Sequence, residues 1–168
     1  MKTYQPKGKD IKRDWHLMDA KGQILGRMAS DIVKYLMGKN KVNYVPHLDM
    51  GDYVVLLNSE KVKVSGKKES QKKYFKHSGY PGGFKEVSYA KLKAQRPERI
   101  ITLAVKRMLP ANRLRDDRMS RLKVIIGDKN PYEEKFKNKQ SLAFQAQKSN
   151  LQSKNKQSLA LRAQKEKK

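Results

Sequence analysis

The chain has 168 residues, with 40 Lys or Arg against 16 Asp or Glu, a formal charge of +24 and 37% hydrophobic residues. One excess positive charge per seven residues predicts polyanionic company, nucleic acid first, and the length allows one globular domain with a core plus a tail. The absence of cysteine excludes disulfide scaffolds, thiolate zinc sites and cysteine nucleophiles, and the longest apolar runs, such as Val54–Leu57, are too short to cross a bilayer.

In chain order, Trp15-His16-Leu17-Met18 reads as a short strand and Asp19-Ala20-Lys21-Gly22 as a turn. Leu25, Met28, Ala29, Ile32, Val33 and Leu36 recur at helical spacing and predict an amphipathic helix ending at Gly38. Its opposite face and exit carry Arg27, Lys34, Lys39 and Lys41. Tyr53–Leu57 is the continuous apolar run of a buried parallel strand, and Val62-Lys63-Val64 is a short alternating segment stopped by Ser65-Gly66. The basic stretch Lys67–Lys73 leads into Tyr74-Phe75-Lys76-His77-Ser78 and the loop Gly79-Tyr80-Pro81-Gly82-Gly83-Phe84. Pro97 opens a helix lined by Ile100, Ile101, Leu103, Ala104, Val105, Met108 and Leu109, and Pro110 ends it. Val124-Ile125-Ile126-Gly127 reads as a last buried strand. Strands alternating with helices predict an α/β layered domain with a small, largely parallel sheet.

Composition shifts near Phe136, dividing the chain into a domain at 1–136 and a basic low-complexity tail at 137–168. The tail has nine Lys or Arg and one acid, a net +8, which leaves +16 on the domain. Lys137–Lys148 returns at Lys154–Lys165 with ten of twelve positions identical. Leu142, Gln145 and Ala146 have helical spacing, but a helix that short is marginal alone in water. The tail is expected to be disordered when free and ordered on a partner.

No P-loop string or dinucleotide fingerprint is present, so nucleotide-dependent enzymology has no support. His47-Leu48-Asp49-Met50-Gly51-Asp52, with His16 and His77, could in principle hold a metal or perform acid–base work. Asp49 and Asp52, however, precede an apolar strand, where a carboxylate closes a turn on backbone N–H groups or pairs with a cation. One local cluster is not a mutually checked site, so the structural reading is preferred, with no catalytic residue, metal or cofactor expected.

Repulsion among so many cations argues for a bound polyanion, held by phosphate neutralisation and counterion release. The residues expected to touch RNA are Lys12, Arg13, Arg27, Lys39 and Lys41 early in the chain. Lys67, Lys68, Lys72, Lys73, Lys76, His77 and Tyr80 follow in the basic segment, where aromatic rings can stack on unpaired bases. Tyr74 and Phe75 fit stacking and core packing equally well. Arg96, Lys106, Arg107, Arg113, Arg115, Arg118, Arg121 and Lys123 form the last group, with Asp116 and Asp117 consuming some of its charge in local pairs.

Tyr44–Val55, Lys73–Gly83, Arg96-Pro97-Glu98-Arg99 and Val105–Pro110, together with Lys12-Arg13-Asp14-Trp15 and Leu25-Gly26-Arg27, resemble one family, and the match runs from about Met1 to Gly127 in order. The sequence is similar to protein thirteen of the bacterial large ribosomal subunit. That resemblance implies a three-layer α/β/α domain with a four-stranded, mainly parallel sheet. It also implies binding to large-subunit rRNA, a role early in subunit assembly, neighbouring ribosomal proteins as partners, and no catalysis. Family members carry a glycine-containing turn after Met-Leu-Pro where this chain has Asn112 and Arg115, so that loop is expected to take a different path and add a phosphate contact. The duplicated tail has no counterpart in the family pattern and is expected to run along rRNA or onto a neighbouring protein. A membrane, a small-molecule substrate and homo-oligomerisation are not expected. Met1–Asp10 has no signal-peptide segment, which points to a cytoplasmic ribosome, with an organellar one open. Two other readings stand beside this one: an RNA-processing enzyme using His47, Asp49 and Asp52, and a regulator that binds messenger RNA away from the ribosome.

Overall fold

A computed structural model describes residues 4–136. The duplicated segment of the tail, and with it the expectation of a partner-ordered helix, lies outside the described residues. The chain divides into two compact units, Met1–Asn130 and Pro131–Lys168, the boundary falling six residues before the end of the domain drawn from composition. The described part of the second unit is a helical turn over 133–136, with the Lys135 N–H donating to the Tyr132 carbonyl at 3.1 Å.

In the first unit, β1 (Trp15–Asp19), β2 (Tyr53–Leu57) and β5 (Leu122–Val124) form a parallel sheet in the order β1-β2-β5. Trp15 stands opposite Tyr53, and Val54 opposite Leu122. Helix α1 (Leu25–Met37) connects β1 to β2, and α4 (Pro97–Met108) lies between β2 and β5 in sequence. Both crossovers advance in the same direction, so right-handed connections place α1 and α4 on one face, where they pack together. The core there joins Leu25, Met28, Ile32 and Leu36 of α1 to Ile100, Ile101 and Val105 of α4 and to Val54, Leu56 and Leu122 of the sheet. The α1 residues recur every three or four positions, as an amphipathic helix requires. Gly38 ends α1 at φ 78°, its N–H reaching the Lys34 and Tyr35 carbonyls.

The sheet has three strands among the described residues, not four. Val62-Lys63-Val64, the short alternating segment, makes a single parallel bridge between Lys63 and Ile24. It is too short to extend the ladder, and its chief role is to accept the Leu25 N–H at the start of α1, 2.8 Å from the Lys63 carbonyl. The last strand begins two residues earlier than the sequence predicts, and Ile125 continues it through one bond to the Leu56 carbonyl.

Helix α2 (Lys68–Gln71) precedes an antiparallel hairpin, β3 (Lys73–His77) and β4 (Phe84–Ser88), which is a sheet of its own. Its turn uses Gly79 at φ 92° and Gly82 at φ 72°, left-handed angles that favour glycine. Helix α3 (Tyr89–Gln95) follows, capped by the Ser88 hydroxyl accepting from the Lys91 N–H. Helix α5 (Leu114–Ser120) leads into β5.

Candidate nucleic-acid interface

The His47–Asp52 segment is a charge lock. Arg121 Nη1 and Nη2 donate to the two Asp49 carboxylate oxygens at 2.5 and 2.6 Å, a bidentate fork. Arg118 Nε lies 3.5 Å and Arg13 Nη2 3.6 Å from the same carboxylate. Asp52 accepts the Asp14 backbone N–H at 3.0 Å, stands 3.0 Å from His16 Nε2, and pairs with Lys41 Nζ at 2.5 Å. Burial pushes the Asp52 carboxyl up, but hydrogen bonds from His16, Lys41 and the Asp14 N–H, with the Lys41 charge, outweigh it and hold the pKa below the ordinary aspartate value. Gly51 must be glycine, because a Cβ there would sit 1.8 Å from the Leu36 carbonyl oxygen. The histidine beside Asp52 is His16, while His47 is exposed. Both carboxylates are therefore committed to holding the N-terminal segment, the end of α1 and α5 against the start of β2.

Several cations assigned to RNA by sequence are inside this lock. Arg118 is 1% and Arg121 5% exposed, so the expected phosphate contacts are corrected to buried structural roles. Helix α5 turns both toward Asp49, and Arg121 Nη2 also reaches the Leu36 carbonyl at 3.5 Å, at the negative end of α1. Lys41 is only half-buried, but it is corrected because its donors are taken: beyond Asp52, its ammonium donates to the Lys12 and Met50 carbonyls at 2.6 and 2.8 Å. Arg115, expected to add a phosphate contact, instead donates to the Pro110 and Leu109 carbonyls at 3.1 Å each, closing the end of α4. Lys73 pairs with Glu86 at 3.0 Å and Lys106 lies 3.9 Å from Asp116, both on the surface, where such pairs exchange readily for phosphate.

The remaining cations gather elsewhere. Arg27 of α1, Lys68 of α2, Lys72 before β3 and Arg107 of α4 line one concavity and make no ion pair among the described residues. Burial lowers the Lys72 pKa, and the charges of Lys68 and Arg107 lower it further. The hairpin stands beside this group. Its Phe75 and Phe84 are each 57% exposed, with ring centroids 5.5 Å apart on one face, and Tyr80 at the turn is 76% exposed. Tyr74 points the other way and is buried, which separates the two residues that the sequence left undecided. His77 Nδ1 accepts the Gly79 N–H at 2.9 Å, fixing the ring at the entrance to the turn. Lys76 is exposed on the hairpin, Lys12, Arg13, Lys39, Lys67, Arg96 and Arg113 are exposed elsewhere, and Lys123 is half-buried opposite Val55. Phe84 is the aromatic that sequence reasoning missed; alternation across the Gly-rich turn would have placed it beside Phe75.

Among the described residues no helix is long and apolar enough to cross a membrane. Residues 13–131 match the family described as Ribosomal protein L13. The chain is 52% identical over 132 residues to the large ribosomal subunit protein uL13 of Ectopseudomonas mendocina (strain ymp), covering 79% of this chain and 93% of that protein. Over the same length and shares it is 48% identical to the uL13 of Alcanivorax borkumensis, and it is 47% identical to that of Chloroflexus aggregans, with 92% of the relative covered. With a family match over residues 13–131 and about half of the residues identical to these relatives over 132 positions, the chain belongs to the ribosomal protein L13 family, whose members are structural components of the large ribosomal subunit and not enzymes.

Proposed function

We propose that this chain binds large-subunit rRNA, helps the subunit assemble early, and touches neighbouring ribosomal proteins, the last in part through its basic tail. The observation that carries the reading is the separation of its charges. Asp49 and Asp52 draw Lys41, Arg118 and Arg121 into the fold, while Arg27, Lys68, Lys72 and Arg107 face a concavity with no carboxylate in its lining among the described residues. Such unneutralised cations gain most from phosphate. The stacked Phe75–Phe84 pair beside Lys76 adds a platform for unpaired bases. Lys12, Arg13, Lys39, Lys67, Lys73, His77, Tyr80, Arg96, Lys106, Arg113 and Lys123 complete the proposed contact set. Val55 is fully buried although it faces away from α1 and α4, which supports the third layer that the resemblance implies. Depleting the chain from growing cells and fractionating ribosomes on gradients tests the role. Accumulation of particles lighter than the large subunit is expected. Normal large subunits after depletion would overturn the proposal.

A further inference from the structure

The concavity between α1, α2 and α4 is more than a charged patch. It has a volume of about 510 Å³, within the range of small-ligand sites. Its lining includes Arg27, Lys68, Lys72 and Arg107, and among the described residues no Asp or Glu. Apolar side chains line it as well, with Leu103 half-buried and Met108 44% exposed on the same helix as Arg107. Those two belong to the periodic apolar stripe of α4, but unlike Ile100, Ile101 and Val105 they are not fully covered by the core. Tyr74, 8% exposed, also lines the cavity, and its hydroxyl has no hydrogen-bond partner among the described residues. A simple phosphate would satisfy the cations and leave the apolar wall wet. A duplex presents phosphates but no free base face. What satisfies both the cations and the apolar side chains is an anion with a flat apolar body.

We propose that this cavity takes one nucleoside phosphate, its base against Leu103 and Met108 and its phosphate among Arg27, Lys68, Lys72 and Arg107, and that the occupant is an unpaired nucleotide extruded from the bound RNA. This rests on the RNA-binding reading above. Extrusion costs little where the nucleotide is already single-stranded. The depressed basicity of Lys72 accords with a site built for an anion.

The test uses the full chain at near-physiological salt with four probes: an RNA tetranucleotide, the same tetranucleotide with abasic sugars, adenosine monophosphate, and large-subunit rRNA. The tetranucleotide is expected to bind about tenfold tighter than its abasic form, the lower end of what one base gains by stacking on an aromatic ring. Met108→Ala, at an exposed position, should shrink that difference and weaken rRNA binding by no more than the same factor, and Arg107→Gln should weaken both tetranucleotides alike. Adenosine monophosphate binding as tightly as the tetranucleotide would support the pocket chemistry and assign its source to free nucleotide. Equal binding of the base-bearing and abasic forms, with rRNA still bound, would overturn this inference alone. Failure to bind rRNA at all would instead overturn the reading on which it rests.

Discussion

Removing the Asp49 carboxylate should be among the most destabilising single changes in this chain. In Asp49→Ala, Arg121 loses both of its short bonds, at 2.5 and 2.6 Å, and Arg118 loses its nearest anion, at 3.5 Å. The two arginines are 5% and 1% exposed, so water cannot replace the carboxylate without opening the fold. Breaking a buried pair by deleting one partner costs about 3–5 kcal/mol, against about 5–15 kcal/mol for a whole domain. With a urea dependence of roughly 1–3 kcal/mol per molar, the unfolding midpoint should fall by about 2 M. The control is Arg118→Met. Arg118 Nη1 and Nη2 make no hydrogen bond among the described residues, so a similar-sized apolar side chain should cost under about 1 kcal/mol. In that background Asp49→Ala should cost measurably less, because the two sites are coupled. Urea titration followed by far-UV circular dichroism reads all four proteins. A midpoint shift below about 0.5 M for Asp49→Ala would refute the charge-lock argument.

Three further outcomes follow from named contacts. The folded pKa of Asp52 lies below its unfolded value, so its contribution is complete above about pH 4 and is lost as pH falls through the folded pKa. Urea midpoints should therefore drop on acidification below pH 4, and Asp52→Asn should be weaker at pH 7 with a flatter acid limb; parallel curves would contradict this. Gly51→Ala, which puts a Cβ 1.8 Å from the Leu36 oxygen, should lower the thermal midpoint sharply, whereas Gly8→Ala, with open space around it, should not. Lys76→Gln and Arg107→Gln should each lower the salt slope of RNA binding by about one unit with unchanged thermal stability. Arg121→Gln should do the reverse, and a slope change there would show that it reaches phosphate.

Elements with strong periodicity were legible in the sequence: α1 (Leu25–Met37) stopped at Gly38, β2 as an unbroken apolar run, and α4 (Pro97–Met108) ahead of Pro110. The hairpin was harder, because Lys73-Tyr74-Phe75-Lys76-His77 buries only Tyr74 and so shows no alternating pattern. Helix α5 was invisible for the related reason that its buried side chain is an arginine. The site was half legible. Asp49 and Asp52 read correctly as structural, while composition and the Gly-aromatic loop carry the RNA reading that is proposed above. What the sequence hid was the pairing of Asp49 with residues more than sixty positions away. Arg118 and Arg121 look like any surface cations until the fold brings α5 against the start of β2. The cavity was hidden too, since Leu103 and Met108 fit the core stripe of α4 as well as they fit its wall.

Competition binding at near-physiological salt puts the RNA reading to its hardest test, with large-subunit rRNA set against an unrelated structured RNA of equal length. A preference of about a thousandfold or more is predicted, the scale that separates a defined site from non-specific attraction. Equal affinity for the two RNAs would contradict it, showing that charge alone holds RNA to this protein.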